Sequence, residues 1–202
     1  MGHKLIIGMT ESGKSRLGIT FCREFKKKRI PTVVLDPMFD ERWEAAADIV
    51  FRNIDNYMKF LWTHKGYFAF IDESGGFGKY NTAIEGMICK GRHLGHNLIL
   101  MTQKVTQVST LIREQCREFY LFAANDRAID EISSECRKPQ LLTAPELKPG
   151  EFYKVSRFSE ISKYSIDFAT GTIYRLEDVR CNAKPDFSNE VTNVPNHRQR
   201  RP

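Results

Sequence analysis

Short, unbroken apolar runs recur along the chain. Leu5, Ile6 and Ile7 form the first, followed by TVVL at 32–35, DIVF at 48–51, the aromatic-rich run at 67–71, NLILM at 97–101 and a last one at 119–123. Runs without polar alternation belong to strands covered on both faces, as in a parallel sheet. Helix-patterned segments separate them, at 14–25, 43–47, 54–63, 83–90, 106–116 and 127–136, the last with Asp126 placed to cap it. In the 54–63 segment Ile54, Tyr57, Met58, Leu61 and Trp62 fall on one helical face, which makes Trp62 a core residue. Strand and helix in alternation predict an α/β fold, a three-layer sandwich around a mostly parallel central sheet.

The last part of the chain reads differently. A proline-bearing connection at 139–150 leads to strand-like stretches at 151–156, 163–168 and 172–175, the last two joined by a hairpin through Ala169, Thr170 and Gly171. These are expected to extend the sheet at its edge as a C-terminal β extension. From Cys181 to Pro202 the chain is polar and basic, with no apolar set to bury. This arm reads equally as a subunit contact and as a disordered tail.

Composition changes this picture in three ways. At 202 residues and 41% hydrophobic content the chain is long enough to bury one sizeable core. It holds 31 Lys and Arg against 25 Asp and Glu, a net charge of +6 that suits an anionic partner such as nucleic acid, though basic proteins without one are common. The cationic stretch from Arg23 to Arg29 likewise reads as a solvated helix end complementing the helix dipole, or as a nucleic-acid patch. The five cysteines have no C-x-x-C spacing and are expected as reduced, mostly buried thiols. No apolar run is long enough to span a bilayer and no signal peptide precedes the first strand, so the expected location is the cytoplasm.

The candidate chemistry begins where the first strand ends. Gly8, Met9, Thr10, Glu11, Ser12, Gly13, Lys14 and Ser15 spell G-x-x-x-x-G-K-S between an apolar strand and a helix, the setting a phosphate-binding loop requires. A tight glycine-bearing turn aims consecutive backbone N–H groups inward, and the following helix adds its positive end. Lys14 is then expected to reach the β- and γ-phosphates of ATP, and the Ser15 hydroxyl to bind Mg²⁺. The second signal is the run 67–71, which ends in Asp72 and Glu73 as a Walker B strand does. Asp72 is expected to hold Mg²⁺ and Glu73 to act as the base that activates the attacking water. Asp36, before Pro37 at the end of a strand read as neighbouring the phosphate-binding one, is either a ligand residue at the sheet edge or a turn cap. His93 and His96 have no ligand partner at metal spacing.

Two further stretches, KGRHLGHNLILMTQ at 90–103 and TLIR at 110–113, together with Asp36-Pro37, resemble the FtsK–HerA superfamily of DNA-pumping ATPases. There a basic segment with an arginine and a glycine turn precedes a strand ending in Thr-Gln, and a helix opening on Leu-Ile follows. The resemblance spans about residues 4–135. Within the superfamily the small size is most similar to the genome-packaging ATPases of tailless, membrane-containing double-stranded DNA viruses. It implies one ATPase domain over 1–180, made of that core and the extension at 151–176, with the arm at 181–202 outside it. It further implies that Gln103 senses the γ-phosphate and that Arg92 is an arginine finger reaching a neighbouring subunit. Arg113 and Arg117 are the other candidates for that role, and an exposed arginine at a helix end is the plain reading of Arg92. Glu11 departs from the family's usual small or neutral residue.

The function expected on these grounds is an ATP-hydrolysing motor that assembles as a ring, a hexamer by resemblance, and drives double-stranded DNA into a viral capsid. Its partners would be duplex DNA and capsid or membrane-vertex proteins, in the host cytoplasm or carried in the virion. Phe77 and Lys79, in the glycine-bearing loop after Glu73, are the candidate DNA contacts; the alternative is a structural turn with Phe77 folded onto the core. Two other classes share the first loop, a nucleotide-switched phage assembly or secretion protein and a small-molecule kinase.

Overall fold

The computed structural model describes residues 2–72, 77–156 and 158–179, with side chains described except at 77–81, 178 and 179. The parallel part of the fold contains strands β1 (His3–Ile7), β2 (Thr32–Leu35), β3 (Ile49–Phe51), β4 (Phe68–Ile71), β5 (Asn97–Thr102) and β6 (Cys116–Leu121). Helices α1 (Lys14–Lys27), α2 (Glu41–Ala46), α3 (Ile54–Thr63), α4 (Phe77–Lys90), α5 (Thr110–Gln115) and α6 (Asp126–Cys136) complete it. Three more strands follow, β7 (Glu151–Ser156), β8 (Ile161–Ile166) and β9 (Ile173–Val179). All nine described strands form one sheet in the order β3-β2-β4-β5-β1-β6-β7-β8-β9. The first six are mutually parallel, and β7 to β9 continue the sheet antiparallel beyond β6.

Alternation along each strand sends neighbouring residues to opposite layers. Leu5, Ile7, Val33, Leu35, Leu98 and Leu100 join α3, α4, α5 and α6 in one core. Ile6, Val34, Phe70, Ile99 and Met101 join α1 and α2 in the other. The apolar runs are unbroken because each strand must serve both layers. The expected three-layer α/β sandwich is the fold found, and the C-terminal strands extend its edge as expected.

The strands β2 and β7 and the helix α3 fall where the sequence places them, and the differences elsewhere have local causes. The segment read as a loop through Lys79 is helical from Phe77, so Phe77 and Lys79 belong to the first turn of α4; one interior glycine costs a helix only about 1 kcal/mol. The single helix read at 106–116 is a 3-10 turn, Val105–Gln107, and then α5, because the Ser109 hydroxyl accepts from Ile112 N and starts the helix afresh. Asn125, not Asp126, caps α6, its side chain accepting from Ala128 N at 2.9 Å. On α3, Tyr57, Met58 and Leu61 fill the buried stripe, and Trp62, one step round the helix, is 44% exposed. It lies on the rim beside Gly86. Cys22, Cys116 and Cys136 are buried as expected, and Cys89 is exposed.

Asp36 is also corrected. Strands β4 and β5 separate β2 from β1, so Asp36 is not beside the phosphate-binding strand. Its buried carboxylate accepts from Met38 N at 3.0 Å and Asp40 N at 2.7 Å and pairs with Arg52, which makes it a turn cap. The cationic end of α1 is engaged locally: Lys26 donates to Ala47 O and Lys27 pairs with Glu24. His96 spends its ring on backbone, accepting from Tyr67 N and bonding Leu61 O and His64 O.

His3 closes the far edge of the sheet. Its Nε2 bonds Ile88 O and its Nδ1 accepts from Leu98 N, an arrangement that needs the neutral ring. Burial, partly opposed by the Ile88 bond and reinforced by Arg92, lowers its pKa from 6.5 to about 4. The unfolded chain therefore takes up this proton below about pH 6.5, and the folded chain only near pH 4. Stability should fall by up to roughly 3 kcal/mol across that interval. Urea midpoints measured from pH 7 to pH 4.5 should decline in the wild type, and His3→Gln, less stable at neutral pH, should show a flatter profile.

Candidate active site

The register of the parallel strands brings separated motifs to one edge. Ile7 lies beside Thr102, Leu100 beside Ile71, and Ile71 beside Leu35. The loop after β1, Gln103 after β5 and Asp72 after β4 therefore emerge together at the C-terminal ends of the strands, with β5 between the other two. Parallel α/β sheets bind ligands at this edge.

The loop itself is fixed on both sides. Gly8 N donates to Thr102 O at 3.2 Å and Met9 N to Ala123 O at 2.8 Å. A Cβ on Gly8 would stand 2.5 Å from Ser12 Oγ and 2.6 Å from Phe122 Cβ, so only glycine fits. Glu11 (φ 62°) and Gly13 (φ 116°) both adopt left-handed backbone, which turns the intervening amides into a concave anion-binding nest. Gly13 precedes α1 without a side-chain cap, and the first turn of α1 carries no acidic residue. The helix thus presents open N–H groups and its positive end to the loop.

Lys14 is buried and stretches across the nest, donating to Met9 O at 2.8 Å. Ser15 Oγ donates to Asp72 Oδ1 at 3.3 Å, and this hydroxyl and carboxylate are hard oxygen donors of the kind that would hold Mg²⁺. Trp43 Nε1 donates to the other carboxylate oxygen, Asp72 Oδ2, at 2.9 Å. Thr10 Oγ1 donates to Gln103 Oε1 at 3.1 Å, so the side chain expected to sense the γ-phosphate is in contact with the loop. Ser12 Oγ is buried and has no hydrogen-bond partner among the described residues, an orphan polar atom inside the nest. The residues present fit a polyphosphate with its Mg²⁺: open amides, one ammonium, and a hydroxyl–carboxylate pair.

A cleft of about 250 Å³ opens above the loop, floored by Gly13, Lys14 and Ser15 and walled by Arg16, Arg42 and Phe168, with Glu11 at its lip. Arg42 is held by Asp40 through a two-pronged ion pair, and its pKa is raised, first by that bond and also by Asp72 and Asp36 nearby. Trp43, Arg42, Arg16 and Phe168 were not singled out from the sequence. Arg16 follows the motif directly and was within reach of inspection; the other three come from distant segments with no fixed spacing to it. A wider cleft of about 360 Å³, between Thr20, Arg23, Lys27 and the β8–β9 turn, contains none of the loop residues.

The remaining candidates separate clearly. Glu73 and the loop at 74–76 lie outside the described residues, as do the side chains of Phe77 and Lys79 and the arm at 181–202. Arg92 sits in a 3-10 turn, Gly91–Leu94, ahead of β5, at the opposite edge of the sheet from the loop. It is exposed there, 3.5 Å from Gln115 Oε1. Arg117, at the start of β6, lies at the same edge. Arg113 is 8% exposed, pairs with Glu135 at 2.7 Å and Glu131 at 3.4 Å, and donates to Val108 O at 2.6 Å. Breaking such a buried pair costs about 3–5 kcal/mol, which makes Arg113 a structural residue rather than a finger.

No protein-family model matches the sequence, and no curated protein matches it. Solved structures do match. The genome packaging NTPase B204 of Sulfolobus turreted icosahedral virus 2, in complex with AMPPCP, aligns at a TM-score of 0.64 and 19% identity, over 89% of this chain and 98% of that one. The pCW3 conjugation coupling protein TcpA aligns at 0.61 and 13% identity, over 81% of this chain and 59% of its own. The cytoplasmic domain of the Thermomonospora curvata type VII secretion ATPase EccC aligns at 0.60 and 14% identity, over 81% of this chain and 25% of that one. The chain shares the fold of these proteins, which is the fold expected from the sequence.

The Trp43–Asp72 bond generates a direct expectation. Partners that orient a metal-binding group typically change metal affinity by about 10- to 100-fold when removed. Trp43→Phe, which keeps an apolar ring and removes the donor, should raise the Mg²⁺ concentration needed for half-maximal nucleotide binding by that order. Binding measured in EDTA should change little, and a melting curve checks that the variant is folded.

Proposed function

We propose that this chain is an ATP-hydrolysing motor of the FtsK–HerA type that translocates double-stranded DNA and packages it into a virus particle. The observation that carries the reading is the convergence of Lys14, Ser15, Asp72 and Gln103 at one sheet edge, with Thr10 and Gln103 already in contact. The likeness to a viral genome packaging NTPase over nearly the whole of both chains supports the packaging role.

In this reading Lys14 and the loop amides bind the triphosphate, and Ser15 and Asp72 hold Mg²⁺. Mg²⁺ supplies charge neutralisation between the β- and γ-oxygens when bound. Glu73, directly after Asp72, takes the proton of the attacking water, and Gln103 orients against the γ-phosphate. Arg92 faces away from its own subunit's loop, so it serves only a neighbour's nucleotide, as a ring demands; a hexamer is the arrangement we favour. In this reading Phe77 and Lys79, in the first turn of α4, couple the base to duplex DNA. No helix among the described residues is long and apolar enough to cross a membrane. We place the motor in the host cytoplasm or the virion, working against capsid or membrane-vertex proteins.

A nucleotide-switched assembly or secretion protein is the second reading, favoured by the likeness to a secretion ATPase. Phosphate release with and without duplex DNA separates the two, since a motor is stimulated by the duplex and a switch is not. Release without any acceptor also sets aside a kinase. In the same assay Lys14→Ala should fail to bind ATP, whereas Glu73→Gln should bind it and lose turnover. Near-normal turnover in Glu73→Gln would remove Glu73 from the role of base.

The ring is tested by mixing. Arg92→Ala and Glu73→Gln should each be inactive alone, and mixtures should recover turnover at interfaces that pair an intact Glu73 with an intact Arg92. Arginine fingers contribute about 10³ to 10⁵ in rate, so recovery should be plain. Its absence in subunits shown to co-assemble would shift the role to Arg117 or to no residue in trans.

A further inference from the structure

The nucleotide loop accounts for phosphates and metal and leaves one wall of its cleft unexplained. Phe168 follows β8 and is 47% exposed, yet it lies against the loop itself. A Cβ on Gly13 would come within 3.4 Å of its ring, and one on Gly150 within 3.2 Å. Both glycines have left-handed backbone (φ 116° and 86°). They form a bare shelf that supports part of the ring and leaves the rest open to the cleft.

The ring is held in place by a stapled turn. Asp167 Oδ1 accepts from Ala169 N at 2.8 Å and Thr170 N at 2.7 Å, Gly171 N donates to Asp167 O at 2.8 Å, and Asp167 N donates to Thr172 O at 2.9 Å. Arg16, two residues beyond Lys14, donates to Ala169 O at 2.7 Å and ties this turn to α1. The two sides of the cleft differ in chemistry. Asp72 follows β4, on one side of β1 in the sheet, and it bonds Ser15 and Trp43 and lies near Arg42. Phe168 follows β8, on the opposite side of β1, and among the described residues it is the aromatic side chain that lines the cleft.

We infer that Phe168 is the platform on which the nucleobase stacks, so that the β extension supplies the base-binding half of a site whose phosphate half is the loop. This rests on reading the loop as a nucleoside triphosphate site. Stacking on an aromatic face is tolerant of base identity, and a purine covers more of the ring than a pyrimidine. The site therefore takes ATP and GTP with similar affinity and CTP and UTP more weakly.

The test compares ATP with inorganic tripolyphosphate, each with Mg²⁺, on the full chain. The wild type should bind ATP more tightly than tripolyphosphate. Stacking losses correspond to about 5- to 150-fold in affinity, and Phe168→Ala and Phe168→Leu should weaken ATP by that order while leaving tripolyphosphate unchanged. Phe168→Trp should keep ATP affinity, with indole fluorescence that responds to ATP and not to tripolyphosphate. Phe168→Leu still fills the space over the two glycines, so full ATP affinity in that variant would overturn the platform and leave Phe168 a space-filler. Equal wild-type affinity for ATP and tripolyphosphate would also overturn it while sparing the phosphate site. Binding of neither ligand would overturn the nucleotide site itself, and the platform with it.

Discussion

Two backbone hydrogen bonds, from Gly8 to Thr102 and from Met9 to Ala123, fix the start of the phosphate loop against the chain ends of β5 and β6. They are available only because β1 is an interior strand with a parallel neighbour on each side, aligned so that all three end at one level. That placement in turn requires β1 to be apolar on both faces, which Leu5, Ile6 and Ile7 satisfy at zero exposure. Burial of a strand thus becomes the orientation of a loop, and Lys14 and Ser15 inherit their positions from it. The same alignment delivers Asp72 and Gln103, which have no contact with the loop in sequence.

How much of this was legible in the sequence depended on whether a residue's role was set by local spacing. That the loop, Asp72 and Gln103 meet at one sheet edge was readable because glycine positions and strand ends impose short fixed patterns, whereas a role for Gln103 came only from the family resemblance. The alternation of apolar runs and amphipathic segments likewise exposed the layers, since each strand declares by its composition whether one or both faces are covered. Trp43 was not readable: a tryptophan in a short helix looks like any core aromatic, and its bond to Asp72 spans 29 positions. Phe168 sat at the end of a predicted strand with nothing to mark it. Trp62 was misjudged because a helical stripe fixes its centre better than its margins. Asp36 was misplaced because strand order in space is not strand order in sequence.

The sheet also separates two sets of charge. Lys14, Asp72 and Arg42 gather at one edge, while Arg92, Arg117 and the basic end of α1 occupy the other. The chain thus carries the phosphate loop at one edge and exposed arginines at the opposite one. In the ring we propose, copies set edge to edge would bring the exposed arginines of one against the phosphate loop of the next.

Ser12, inside the phosphate loop, accepts a hydrogen bond from Gly150 N at 2.9 Å, and Gly150 O accepts from Ile166 N at 2.9 Å. The chain of contacts runs from the loop through the connection ahead of β7 and into β8. The smallest piece of this chain able to hold its catalytic loop in shape is therefore longer than its motifs imply. A boundary drawn after α6, where the last motif-bearing segment ends, would keep every signature residue and cut away the buttress that shapes them.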